Sequence, residues 1–203
     1  MRCLVFAVVL LAVLGCGRDN GPANTKDAPV VPQGSSITNG WKEFSFTSYG
    51  FKASFPWGMA IERPFLPGAG GRLPALAGSN DFSATLWDGN KPTYGFSIIA
   101  LRFRPRSAAK DRDEAFQAAL AEVSIDKSLK RSEPKGVTWG KQAAQEFTAE
   151  PSDPSGATDR VIVRSLATES GAYIGVVRDA GKLTPKEITL FFDSFQLLSP
   201  PGK

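Results

Sequence analysis

The stretch from Tyr94 to Arg104 is apolar on both sides of an extended chain: Phe96, Ile98 and Ala100 point one way, and Ile99, Leu101 and Phe103 point the other. A second stretch repeats this, with Val161 and Val163 opposite Ile162 and Leu166. A sheet built from such strands cannot leave either face in water, so it demands cover on both. Two amphipathic segments, well separated along the chain, can supply that cover. In the first, Phe116, Ala119, Leu120 and Val123 share one helical face, and Asp111 with Glu114 makes a capping pair at its start. In the second, Thr184-Pro185-Lys186-Glu187 supplies an N-cap, a proline at the first helical position and a capping glutamate. Ile188, Phe191, Phe192 and Phe195 form the buried side of that helix. The expected fold class is α+β, an antiparallel sheet of about six or seven strands between helical layers, an α-β-α sandwich.

The remaining strands follow from alternation and turn chemistry. Phe44 and Phe46, then Phe51, Ala53 and Phe55, read as a hairpin around Tyr49-Gly50 that Pro56 ends. A short strand is expected over Gly58 to Arg63, followed by a loop rich in Gly, Pro and Ala from Leu66 to Ser79. Phe82 to Trp87 and Tyr94 to Arg104 are strands separated by Asp88-Gly89-Asn90. After a polar connection from Lys127 to Gly136, strands are expected over Val137 to Glu150, Arg160 to Thr168 and Ala172 to Arg178. Glu169-Ser170-Gly171 joins the last two, with Gly171 free to take positive φ.

Ahead of the domain, Leu4 to Leu14 is an apolar run of about eleven residues, too short for a bilayer that needs about 20. It ends in Val13-Leu14-Gly15-Cys16, which resembles the lipobox of bacterial lipoproteins. The resemblance implies cleavage after Gly15 and attachment of diacylglycerol to the Cys16 thiol, and a thiol is the natural nucleophile for that thioether. Gly17, where an aspartate would favour the inner membrane, favours an outer-membrane destination in a host that has one. The stretch from Gly17 to Asn39 has almost no large apolar side chains and reads as a flexible linker of about 23 residues with a reach of about 25–30 Å. The organisation is a lipoprotein signal peptide over 1–15, a lipidated cysteine and linker over 16–40, a globular domain over 41–199 and a tail over 200–203. The protein is then lipid-anchored in the cell envelope, facing away from the cytoplasm.

Composition removes whole classes of chemistry. There is no histidine, which excludes His-dependent triads, His-ligated zinc and His proton shuttles. The two cysteines are Cys3 and Cys16, so the domain has no disulfide, thiol nucleophile or Cys-ligated metal. The formal charge of +4 is too small to imply nucleic-acid binding. No cofactor and no metal is expected.

Tyr49-Gly50-Phe51-Lys52-Ala53-Ser54-Phe55-Pro56, the run from Gly140 through Ala144 to Glu146-Phe147, and Phe192-Asp193-Ser194-Phe195 together resemble the PsbP-like fold, whose members include small DcrB-like bacterial lipoproteins. The resemblance covers nearly all of Trp41 to Leu198. It implies a non-catalytic assembly factor or binding protein, and it carries no metal site here because histidine is absent.

The residues themselves offer four sets of candidates. Ser107 with Lys110, and Ser124 with Lys127, match the S-x-x-K spacing that brings a lysine to a nucleophilic serine, but the companion motifs of that class are missing. Asp111, Asp113 and Glu114, and separately Glu146, Glu150 and Asp153, group carboxylates without the spacing of a metal-binding loop. The Gly-rich Leu66–Ser79 loop lacks the strand–helix setting of a phosphate cradle, yet a pocket beneath it would suit a small ligand. Arg102, Arg104 and Arg106 alternate at the end of a long strand, with Lys110 and Arg112 just beyond, and overhang the core. The functional expectation is a non-enzymatic envelope lipoprotein that binds the membrane through its Cys16 anchor, with the three arginines facing an anionic surface or an envelope protein. The alternatives are a small-ligand-binding domain and, far behind, a hydrolase.

Overall fold

The structure is a computed structural model and describes residues 35–37, 40–56, 61–64, 76–88, 91–123, 129–152 and 159–198. Cys16, Ser124, Lys127, Asp153 and residues 66–75 of the Gly-rich loop lie outside the described residues.

The elements, in chain order, are β1 (Ser35–Ile37), β2 (Trp41–Phe46), a 3-10 turn (Thr47–Tyr49), β3 (Phe51–Pro56), β4 (Ile61–Pro64), β5 (Leu76–Asp88), β6 (Lys91–Phe103), α1 (Ala109–Val123), β7 (Leu129–Arg131), β8 (Lys135–Trp139), β9 (Gln142–Pro151), β10 (Asp159–Ala167), β11 (Gly171–Ala180), α2 (Pro185–Ser194) and β12 (Gln196–Leu197). The main sheet runs β4-β5-β6-β11-β10-β9-β7, with β8 also paired to β9, and its pairs are antiparallel. Among the described residues it therefore has eight strands where about six or seven were expected. A second sheet runs β1-β2-β3-β12, and β1 lies within the stretch read as linker.

The cover of the main sheet agrees with the sandwich expectation in part. One face is closed by α1, as expected: Ala115, Ala119 and Leu120 pack on Ile99, Leu101, Val163 and Ile174. The other face is closed mostly by sheet. The β2–β3 hairpin lays Phe44, Phe46, Phe51 and Phe55 over Phe82, Phe96 and Ile98, and α2 adds Phe191 and Phe192, with Ile188 and Leu190 partly buried against the same cluster and Phe195 following at the C-cap. Each strand of that hairpin has alternating apolar positions, which is the pattern of a layer packed on one side.

Aromatic side chains dominate this second face. Phe46 and Phe82 approach to 4.2 Å between centroids, and Phe191 sits between Phe55 at 5.7 Å and Phe96 at 5.1 Å. Trp139 stacks on Phe195 at 4.1 Å, and its indole N–H donates to the Phe192 carbonyl oxygen at 2.9 Å. Gly175 makes the indole's position possible, since a Cβ there would stand 2.8 Å from the Trp139 ring. Burying a phenylalanine contributes about 1.5–3 kcal/mol, and a favourable ring pair about 0.5–1.5 kcal/mol more.

Several local expectations change. Val137 to Glu150 is a β8–β9 hairpin, turned at Gly140 (φ 57) and Lys141 (φ 66). Consecutive positive φ values in a two-residue turn match the twist of the flanking strands. Leu76 to Ser79, read as loop, belong to β5, where a register shift between Leu76 and Gly78 absorbs the irregularity. The polar connection contains β7. Asp111 is no cap, because α1 starts two residues earlier at Ala109 and places Asp111 in its first turn. Gly171 is not at positive φ, and its small size serves close approach instead: a Cβ would lie 2.4 Å from the Leu101 carbonyl oxygen. The capping box at Thr184 and Glu187 forms as read, with Pro185 in the first turn.

Candidate functional site

The end of the main sheet where β6 finishes and β11 begins gathers the basic residues. Strand β6 stops at Phe103, so only Arg102 of the three arginines lies on a strand; Arg104 follows it and Arg106 sits in a turn at φ 66. Pro105, lacking an N–H, cannot continue the ladder between them. The expected strand-borne alternation is thus a strand end followed by a turn. All three side chains are exposed, and none is in an ion pair among the described residues. Lys110 pairs with Glu114 at 3.7 Å one helical turn away, while Arg112 is half-buried and donates to the Glu169 carbonyl oxygen at 3.4 Å.

Arg102 stands on a groove of about 420 Å³ lined by Ser48, Tyr49, Thr168, Ser170, Tyr173 and Leu197 among others. Its guanidinium donates to the Ser48 carbonyl oxygen at 3.4 Å. The walls are fixed by long-range bonds. Tyr173 donates its hydroxyl to the Tyr49 carbonyl oxygen at 2.7 Å, and the Leu198 N–H donates to the Gly50 carbonyl oxygen at 2.8 Å. Gly50, at φ 72, turns the chain between β2 and β3 so that these carbonyls face the main sheet. The Thr168 hydroxyl donates to the Gly171 carbonyl oxygen at 2.9 Å and accepts from the Gly171 N–H at 3.1 Å, which holds the β10–β11 turn against the groove. A second cleft of about 410 Å³ shares Thr168 and runs along Phe103, Arg112, Phe116 and Glu169.

In the groove itself Arg102 is the charged residue of the lining. Burial pushes the Tyr49 hydroxyl above its ordinary pKa; Glu62 pushes it further, and Arg102 pulls it back. Burial alone raises Tyr173. Both phenols therefore remain neutral hydrogen-bonding groups, and the charge of the groove is that of the Arg102 guanidinium.

The other candidates are placed as follows. The Ser107 hydroxyl donates to the Arg104 carbonyl oxygen at 2.9 Å, while Lys110 turns to Glu114, so each is engaged with another neighbour. Asp111, Asp113 and Glu114 are exposed on α1, and no group of three potential metal ligands occurs among the described residues. Glu146 is buried beneath two cations, Lys135 at 2.8 Å and Arg164 at 2.5 Å, whereas Glu150 is exposed. The Lys135, Glu146 and Arg164 positions are neighbours across β8, β9 and β10, and the Arg164 guanidinium lies 4.3 Å from the Phe192 ring centre. This is a structural ladder over the aromatic core. No helix among the described residues is long and apolar enough to cross a membrane. Sequence reasoning missed Asp81, a half-buried carboxylate on β5 that lies beside α1; its signal was a lone acid just ahead of the apolar run at Phe82.

The fold and this site define an α+β protein: a mostly antiparallel sheet with two helices and a basic, grooved end. No protein-family model and no curated protein matches the sequence. Among solved structures, the chain is similar to the solution structure of cyanobacterial PsbP (CyanoP) from Synechocystis sp. PCC 6803, with 14% identity over 84% of this chain and 99% of that one and a TM-score of 0.46. It is also similar to a protein from Bacteroides thetaiotaomicron, with 17% identity, 79% of this chain, 50% of that one and a TM-score of 0.42. The chain thus spans half the length of the second protein.

Proposed function

We propose that the protein is a non-enzymatic envelope lipoprotein with a PsbP-like domain, anchored by lipid on Cys16, whose basic end rests on an anionic surface formed by membrane head groups. The observation that carries this reading is the set of three exposed arginines without ion-pair partners among the described residues, at one end of the sheet. A cation beside an anionic membrane contributes roughly 1 kcal/mol, so three orient a domain that the anchor already holds close. Lys110, paired with Glu114, adds little.

The test uses lipid-free chain from Gly17 onward, wild type against Arg102→Glu/Arg104→Glu/Arg106→Glu, on phosphatidylglycerol and phosphatidylcholine vesicles. Wild type binds the anionic vesicles at low salt, releases them at high salt because screening sets in within about 8 Å, and the triple variant does not bind. Equal binding by the two proteins, or none by wild type at low salt, refutes the docking surface and redirects attention to an envelope protein partner. The anchor is tested separately by alkyne-fatty-acid labelling, which Cys16→Ser abolishes if Cys16 is the lipidated residue.

A further inference from the structure

The groove at the basic end carries a single charge. Arg102 is exposed, and the rest of the lining is hydroxyl, aromatic and aliphatic. Its bond to the Ser48 carbonyl oxygen is made by Nη1 alone and, at 3.4 Å, lies at the long limit for such a bond. A guanidinium has about five N–H donors, so most of them point elsewhere. The acidic neighbours are outside the lining: Glu62 acts on the Tyr49 hydroxyl but accepts from the Asn80 side-chain amide, and Glu169 borders the second cleft.

The other walls suit an anion with a short apolar body. Thr47 and Ser48 expose hydroxyl-bearing side chains at the groove. The Thr168 hydroxyl donates to Gly171, whereas Ser170, 3.3 Å from it, can turn its proton to another acceptor. Leu197 and Leu198, both half-buried, form an aliphatic side. A planar guanidinium meets phosphate oxygens in pairs, and hydroxyls donate to the oxygens that remain. The volume of about 420 Å³ lies within the span of about 300–1,000 Å³ typical of small-molecule sites.

Strand β1 bears on where such a phosphate comes from. It pairs Ser35 with Glu43 and Ile37 with Trp41, so it runs opposite to β2 and enters from the Phe46 side. That is the side on which β2 leads into the Thr47–Tyr49 turn and the groove. Five residues separate Glu43 from Ser48, at most about 17 Å of extended chain. A linker of the 18 residues 17–34 reaches about 21–25 Å. A lipid on Cys16 is thereby kept within range of this end.

We propose that the groove holds the phosphodiester head group of one anionic phospholipid, its phosphate on the Arg102 guanidinium beside the Ser48 and Ser170 hydroxyls and its glycerol and first methylenes against Leu197 and Leu198. The site rests on the reading that this end faces the membrane, and it adds a single stoichiometric lipid to a diffuse attraction.

The test is native mass spectrometry of the full-length protein from non-ionic detergent micelles carrying dioleoyl phosphatidylglycerol, dioleoyl phosphatidylcholine or dioleoylglycerol, which share their acyl chains and differ in head group. One phosphatidylglycerol is retained per chain, and the other two at about a tenth of that level or less. Arg102→Gln lowers the one-lipid fraction about tenfold. Arg104→Gln makes the same charge change beyond the groove and lowers it less than about twofold. Ser170→Trp keeps all three arginines but fills the groove, and it lowers the fraction as Arg102→Gln does, which decides the matter should that variant fail to fold. Equal retention of phosphatidylcholine, equal losses in Arg102→Gln and Arg104→Gln, wild-type retention in folded Arg102→Gln or Ser170→Trp, or displacement of the lipid by equimolar inorganic phosphate overturns the proposal. A chain that docks on anionic vesicles at low salt yet retains no lipid overturns the groove site and leaves the docking surface standing.

Discussion

The two faces of the main sheet are closed by different materials. On one, rings from β2, β3 and α2 interlock edge to face and in stacks with Phe82, Phe96 and Trp139. On the other, α1 lays Ala115, Ala119 and Leu120, with Phe116 and Val123 at the edge, on a mostly aliphatic cluster that holds Phe103 and Phe147 as its buried rings, and beyond Val123 lie Ser97, Thr85 and Asp81. The aromatic face depends on shape, because a ring has one low-energy seat among its neighbours. The α1 face depends on closeness, because Ala115 and Ala119, almost fully buried, bring the helix backbone near the sheet. The difference separates two roles: one face carries the most specific packing, and the other leaves part of the sheet open beside its helix.

The largest expected effect that would break this contrast is Phe191→Ala, at about 3–5 kcal/mol of unfolding free energy from lost burial and the cavity left behind. Phe191 is fully buried and touches rings on both sheets. Urea denaturation reads it directly, and a loss below about 1 kcal/mol would mean that the α2 face is not packed as described. Leu120→Ala on α1 is expected to cost about 2–3 kcal/mol, because the site lies at the rim of its cluster and collapses more easily. If it costs more than Phe191→Ala, the ranking of the two faces is reversed.

A third, smaller effect sharpens the aromatic side. Burial pushes the Glu146 pKa up, but hydrogen bonds and charge from Lys135 and Arg164 outweigh it and hold the carboxyl below its ordinary value of 4.5. A carboxylate with a depressed folded-state pKa contributes stability fully above its unfolded value, and loses it as pH falls through the folded one. Stability should therefore drop below pH ~4.5, and Glu146→Gln should flatten that part of the profile while costing about 1.5 kcal/mol at neutral pH. An unchanged acid limb in the variant would remove Glu146 from the account. The smallest expected effect is on the basic end, where Arg102→Glu/Arg104→Glu/Arg106→Glu should change thermal stability by less than about 0.5 kcal/mol, since all three are exposed and outside ion pairs among the described residues. A larger loss would make those residues structural.

What could be read in the sequence followed the strength of local signals. The strands at Phe96–Phe103 and Val161–Leu166, the α2 capping box and the Tyr49-Gly50 turn are all local and all present. The β8–β9 turn was hidden because only its first position, Gly140, has a turn-forming residue, while Lys141 takes positive φ at the second. Strand β5 was cut short because Gly78 looked like loop, whereas it occupies a register shift on the strand. The second cover was assigned to helix because both helices were visible in periodicity, while the stacking of one hairpin onto another sheet is a long-range fact with no local mark. Of the basic end, the exposure of Arg102, Arg104 and Arg106 was readable and the groove was not, since Ser48, Thr168 and Tyr173 come together only through tertiary pairing. The place of Asp81 beside α1 was missed for the same reason.

The closing strand β12 has a consequence in time. Gln196 and Leu197 pair with Lys52 and Phe51, the Ser194 hydroxyl accepts from the Ser54 N–H at 2.9 Å, and Phe195 stacks against Phe51 at 5.6 Å. Partners so distant in sequence meet late, because loop closure is costly before contacts offset it. In a chain emerging from its N-terminus the β2–β3 hairpin pairs locally, while Phe51 and Phe55 wait for their Phe195 and Phe191 partners until α2 and β12 follow. The last strand to appear thus completes the ring packing around Phe51.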